Sequence, residues 1–208
     1  MSFEEDDELN LEELSPLMQA LVPKVAACRI REFQSDDLEA CVEIHRSNQP
    51  EFVEPDALES FVAFLEGGTS YILVIEHDGD VIACGGLELV GDPDSATLRH
   101  SMVHREYQRR GFGSALLAAQ LSLMEHEDRP MDLWARAGSE TAGFYERLGF
   151  ETQKGADEAS TLLWRSIDPG DIEDARAALI KRNIQLVLNA EEDDEGEEEG
   201  TWGEEQEE

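Results

Sequence analysis

The chain reads as a mixed α/β protein: a central, mostly antiparallel sheet that holds one parallel strand pair and is flanked by helices. Three observations predict this. Residues 71–103 carry three successive strand patterns joined by turns, the mark of an antiparallel meander. Directly after them the apolar period changes from two to 3.6, at a glycine-containing loop. A strand pattern at 131–135 follows that helix, so strand 96–103, helix and strand make a β-α-β unit, expected to be right-handed and parallel.

The elements follow in order. Residues 4–22 place Leu9, Leu11, Leu14, Leu17, Met18 and Leu21 at the spacing of a short amphipathic helix that ends before Pro23. Residues 26–33 alternate apolar and polar, a first strand. Ser35 or Asp36 caps a helix to about Asn48, with Leu38, Cys41, Val42 and His45 on one face. Beyond a Pro-containing loop, Asp56 begins a second helix with Leu58, Phe61, Val62 and Leu65, stopped by Gly67 and Gly68. The strand from Tyr71 to His77, the turn Asp78-Gly79 and the strand leading out to Val90 form a hairpin. Gly91 to Ser95 makes the next turn, and 96–103 the third strand. Gly111 to about His126 carries Leu116, Leu117, Ala119, Gln120, Leu123 and Met124 at helical spacing, closed by Pro130. After strand 131–135, a helix over Ser139–Leu148 ends at Gly149. Residues 151–153 and 161–165 are short strands, 171–182 a helix and 184–188 a short strand.

Composition narrows the function. The chain has 208 residues, 40% of them hydrophobic, which suits one domain with appendages. The net charge is -33, concentrated at the ends: residues 1–15 hold seven carboxylates and residues 191–208 hold twelve, with no Lys or Arg in either. The span between carries 30 acids against 16 bases. The expected division is an acidic extension over 1–25, a main domain over 26–167, a C-terminal helix and strand over 168–190, and a disordered acidic tail over 191–208. Such a surface repels phosphate backbones and disfavours nucleic acid. Its charge serves solubility, and the tail is suited to a basic partner.

Cys28, Cys41 and Cys84 are scattered, without metal-ligand spacing, so no metal is expected. The acidic N-terminus is unlike a signal peptide, and no apolar run approaches the roughly 20 residues that span a bilayer. The expectation is a reduced, cytoplasmic protein without membrane contact.

The chemistry is concentrated in Gln108-Arg109-Arg110-Gly111-Phe112-Gly113-Ser114, which follows a strand and opens a helix. Glycines let the backbone bend closely around a ligand, and amides at a helix start favour an anionic phosphate. Arg105, Arg109 and Arg110 add cations in an otherwise acidic chain. The loop lacks the Lys-Ser/Thr ending of a P-loop and the third glycine of the dinucleotide fingerprint. Alone it fits an ordinary strand-to-helix turn as well as a ligand cradle.

This stretch resembles motif A of the GNAT superfamily of N-acetyltransferases, with the pattern Gln/Arg-x-x-Gly-x-Gly/Ala. Val103 to Tyr107 is similar to the lead-in, with Arg105 where Pro is common. Phe144-Tyr145-Glu146-Arg147-Leu148-Gly149-Phe150 resembles the second family signature. The resemblance covers about residues 26–165 and is strongest over 97–150. It implies a GNAT fold in which the parallel strands splay apart around acetyl-CoA, the co-substrate. The amides of Arg109 to Ser114, with Gln108 ahead of them, would then hold the pyrophosphate. Backbone groups of Met102 and Val103 would align the pantetheine arm. The amine attacks directly in a ternary complex, with no protein nucleophile.

The resemblance makes Tyr145 the acid that protonates the departing thiolate; the alternative is a core tyrosine between Phe144 and Leu148. Family members often carry a base where this chain has Thr97 and Arg99, so Glu88 is the substitute, with a solvated strand residue as its alternative. His100 and His104 are further candidates for the base, with a structural or exposed role as their alternative. Gly138 stands where an Asn is common, and Ser139 is the replacement cofactor contact. The acceptor is expected to be a small-molecule or peptide amine, met by His45, Asn48, Gln49, Glu51, Phe52, Glu54 and Phe61, whose acids suit an amine. The resemblance admits a homodimer. A competing reading is a CoA-binding module with little turnover, a sensor or scaffold.

Overall fold

A computed structural model describes residues 27–188, except 69, 90–93, 125–129 and 154–160. Expectations for the helix at 4–22, for part of the turn at 91–95 and for the tail at 191–208 lie outside the described residues.

A single eight-stranded sheet organises the chain. In chain order its strands are β1 (Arg29–Glu32), β2 (Tyr71–His77), β3 (Asp80–Glu88), β4 (Ser95–Val103), β5 (Met131–Ala137), β6 (Glu151–Thr152), β7 (Thr161–Ile167) and β8 (Gln185–Val187). The spatial order is β6-β7-β5-β4-β3-β2-β1-β8. The expected meander is present: β2, β3 and β4 are successive antiparallel neighbours. Asp78 and Gly79 turn with φ of 54° and 91°, two left-handed residues, as the tightest hairpin turns require. The expected parallel pair is β4 with β5. A second parallel pair, β1 with β8, was not foreseen. Through β8 and the helix before it, residues 169–187 are built into the same sheet and core as the rest.

Among the described residues five helices cover the two faces: α1 (Leu38–Ser47), α2 (Leu58–Glu66), α3 (Phe112–Ser122), α4 (Ser139–Arg147) and α5 (Pro169–Lys181). Single 3-10 turns precede α1 and α2, so their regular parts start later than the caps in the sequence imply. On one face Cys41, Ile44, Phe61 and Leu65 pack against Ile72, Val74 and Cys84. On the other, the α3 and α5 residues Leu116, Ala119, Ile172 and Leu179 share a core with Leu73, Ile75, Leu87 and Leu98. β2 is therefore buried on both sides, which explains its unbroken apolar run. α3 is buried nearly all round, wedged between the sheet and α5.

Candidate active site

The sheet opens at β4 and β5. The two strands pair from Ser95–Asp132 to Leu98–Ala135, and β4 then runs on to Val103. A cleft of about 1220 Å³ occupies the divergence. A bulge shapes its floor: Cys84 pairs with Met102 and Gly86 with Arg99, so His100 and Ser101 together oppose Gly85. His100 takes φ of 50° there. A Cβ on Gly85 would sit 2.7 Å from Ser101 Oγ, so only glycine fits beneath the bulge. The bulge turns Ser101 toward α3, where Gln120 Nε2 donates to Ser101 Oγ (3.1 Å) and to the Gly86 carbonyl (3.0 Å). Gln120 is 1% exposed, a buried amide satisfied by the strand it braces.

Tyr145 lies on the same network. It is buried in α4 between the rings of Phe144 (5.1 Å) and Phe150 (5.3 Å), and it lines the cleft. Burial pushes its phenol up to about 12, against the smaller opposing effect of a hydrogen bond with the Ser101 side chain. The phenol therefore keeps its proton throughout the neutral range. A phenol that keeps its proton is available as a donor to an anion formed beside it, such as a thiolate leaving an acyl carbon.

The glycine loop borders the other end of the cleft. Arg109 and Gly111 adopt φ of 62° and 91°, and Gly111 caps α3 in the left-handed conformation. The first amides of a helix have no acceptor within it, and here they open beside Arg109, Gly111, Gly113 and Ser114, which line the cleft. Met102 and Val103 line it too. Gln108 also lines it, but its amide donates to Asn48 Oδ1 (2.7 Å) and to the Val103 carbonyl (3.2 Å). Asn48 Nδ2 donates to the same carbonyl (3.1 Å). Gln108 thus ties the loop to β4 and α1.

Among the remaining residues expected at the site, the side chains of Arg110 and Phe112 are not among the described lining residues, which leaves their backbone amides at the glycine loop. Arg110 is exposed and stacks its guanidinium over Tyr107, 5.4 Å from the ring centroid. Phe112 is 1% exposed, in the core beside His77. The side chain of Ser139 is outside what is described. Glu88 accepts a hydrogen bond from Arg99 Nη1 (2.7 Å). Arg99 is among the described residues that line the cleft and Glu88 is not.

His100 does line the cleft, with its ring against Phe61 (5.4 Å) and Phe64 (4.8 Å). Burial, reinforced by the charges of Arg99 and His45, pushes its imidazole down to about 4. It is neutral at pH 7. His45, fully buried behind Phe61, is held low by burial and Arg46, and its Nε2 has no hydrogen-bond partner among the described residues. Of the acids expected at the acceptor side, Glu51 pairs with Arg105 and Glu54 is exposed; neither is among the lining residues. The lining charges are Arg99, Arg109, Arg136 and Arg147, with no Asp or Glu among the described lining residues. That is unusual in a chain with 49 acids and 16 bases. Sequence reading missed Arg136, Arg147 and the Ser101–Gln120 brace. The one available signal was Gln120, a polar residue in an otherwise apolar helix.

Among the described residues no cluster of His, Cys, Asp and Glu is placed to hold a metal, and no helix is long and apolar enough to cross a membrane.

Residues 68–152 match the family model of the acetyltransferase (GNAT) domain. Among curated proteins none matches the chain. Solved structures share the fold. The PaiA N-acetyltransferase of Thermoplasma acidophilum, in complex with coenzyme A, is 18% identical over 68% of this chain and 100% of its own, with a TM-score of 0.55. The ribosomal-protein-S18-alanine N-acetyltransferase of Escherichia coli is 21% identical over 68% and 93%, with a TM-score of 0.52. YncA of Salmonella typhimurium, solved with acetyl-CoA, is 19% identical over 69% and 94%, with a TM-score of 0.51.

Proposed function

We propose, from the match of residues 68–152 to the GNAT acetyltransferase family model, that this chain moves an acetyl group from acetyl-CoA to a primary amine of a small molecule or peptide. The observation that carries the proposal is convergence. The helix-start amides at Gly111–Ser114, the bulged strand at His100–Ser101 and the protonated Tyr145 phenol all border one cleft.

The α3 amides with Arg109 suit the pyrophosphate, and the end of β4 suits the pantetheine arm. The amine nitrogen attacks the thioester carbonyl, a C–N bond forms and the C–S bond breaks. Tyr145 supplies the proton taken up by the thiolate. The nitrogen's proton goes to His100, which is neutral and faces the cleft. Glu88 is the alternative base, but it is held by Arg99.

A second reading, a CoA-binding module without turnover, is favoured by that engaged Glu88. Release of free CoA in the presence of a panel of amines separates the two. Amine-dependent release supports transfer; tight CoA binding with no release from any amine supports the module.

A further inference from the structure

The lining arginines divide into two pairs on opposite faces of the sheet. Arg109 precedes α3, and Arg147 lies in the last turn of α4; both helices pack in the core that contains Leu98 and Ala135. Side chains alternate along a strand, so Arg99 and Arg136, each one residue past this paired Leu98 and Ala135, face the other side. The packing agrees: the Arg99 guanidinium lies 5.7 Å from the ring centroid of Phe64 in α2. Trp134 and Leu162 share this face and line the same cleft, Trp134 as the partner of Thr97 and Leu162 as the partner of Arg136.

Arg109, beside the glycine loop, is the member of the α3-side pair placed for the phosphates of CoA. The α2-side pair is separated from the glycine loop by the thickness of the sheet, and it sits beside an apolar surface. Glu88 engages one nitrogen of Arg99, and Arg136 also has an interaction of its own, but each guanidinium carries five N–H donors in a planar fork. A planar fork matches a carboxylate.

We infer that the acceptor is a small amine that also carries a carboxylate, the chemistry of an amino acid, with its carboxylate held by Arg99 and Arg136 and its apolar part against Trp134 and Leu162. This rests on the transfer reading above. The amine is then the neutral nucleophile and the carboxylate the handle that orients it toward the thioester.

The test compares the standard amino acids with their primary amides and decarboxylated amines, in amine-dependent CoA release by the full chain. At least one amino acid is expected to exceed its amide tenfold or more in kcat/KM. In R99Q and R136Q that ratio collapses toward one, while CoA affinity stays within about twofold of wild type. Amides or decarboxylated amines turned over as well as the acids by the wild type would overturn the inference, a result that needs no variant. So would an acid-to-amide ratio that survives both substitutions, or a fall in CoA affinity in both variants that assigns the two arginines to the cofactor. If no amine supports release, the transfer reading fails, and calorimetry on the CoA-loaded protein decides this one. Tighter binding of N-acetyl amino acids than of their amides sustains it; equal binding or none overturns it.

Discussion

The two ends of the cleft are made differently. The proposed cofactor end is built of backbone: a left-handed Gly111, the first amides of α3, and the last residues of β4. All of it lies within residues 102–114. The proposed acceptor end is built of side chains from separate elements: His100 from the bulge, Arg99 and Arg136 from neighbouring strands, and Asn48 at the end of α1. A backbone site needs a fixed local sequence, because only certain residues allow its dihedrals. A side-chain site is assembled by topology, and its members need no sequence pattern among themselves.

That difference can be broken or sharpened by substitution. The largest effect is expected at the cofactor end. A Cβ at Gly113 would touch only Val103 Cγ2, at 3.8 Å, so Gly113→Leu is compatible with the fold. Its added bulk stands where the CoA phosphates approach. The expected outcome is a loss of CoA affinity of about 100-fold or more by calorimetry, with little change in Tm. Gly111→Leu should lose affinity and stability together, because a left-handed non-glycine residue costs about 1–2 kcal/mol. If Gly113→Leu binds CoA normally, the cofactor end is misassigned.

At the acceptor end, His100→Gln should lower kcat by about tenfold. In the wild type, His100 itself should cause no fall in rate until near pH 4, because burial disfavours the imidazolium, and an acid limb above that pH belongs to protonation of the amine. The same shift has a stability sign. The unfolded chain protonates His100 near 6.5 and the folded chain only near 4, so unfolding takes up a proton and stability falls as pH drops between those values. His100→Gln should flatten that part of the stability curve, measured by urea midpoints.

A smaller effect tests the joint between the two ends. Asn48 is 2% exposed and bonds both Val103 and Gln108. Asn48→Ala should cost about 1–3 kcal/mol of stability by leaving buried groups unpaired. It should also raise the KM for acetyl-CoA more than it lowers kcat. The smallest effect is expected from Glu88→Gln, within about threefold of wild-type turnover. A loss above tenfold with a shifted acid limb would restore Glu88 as the base.

How much of the molecule was legible in its sequence follows the same division. The meander, the glycine loop and the parallel β4–β5 pair were readable because turns, periodicity and the β-α-β rule are local or topological constraints. The pairing of β8 with β1 was not, since three residues at the end of the described chain carry no partner information. Phe112 shows the limit within a recognised motif: the glycines beside it face the cleft while its own ring fills the core. The bulge at His100 left no mark either, and with it the orientation of Ser101, His100 and Arg99 was hidden. The acids at Glu51 and Glu54 pointed toward a basic acceptor pocket partner, whereas the lining charges are arginines. Net charge describes the whole surface and not the wall of one cleft.

The proposed mechanism depends on Tyr145 as the group that gives the leaving thiolate its proton. The direct measurement is CoA release by wild type and Tyr145→Phe, at saturating acetyl-CoA and amine, with CoA affinity determined on the same samples. The predicted result is amine-dependent release by the wild type and a drop in kcat of about 100-fold or more in the variant, with affinity within about twofold. Equal turnover by the two proteins, or release that ignores the amine, would contradict it.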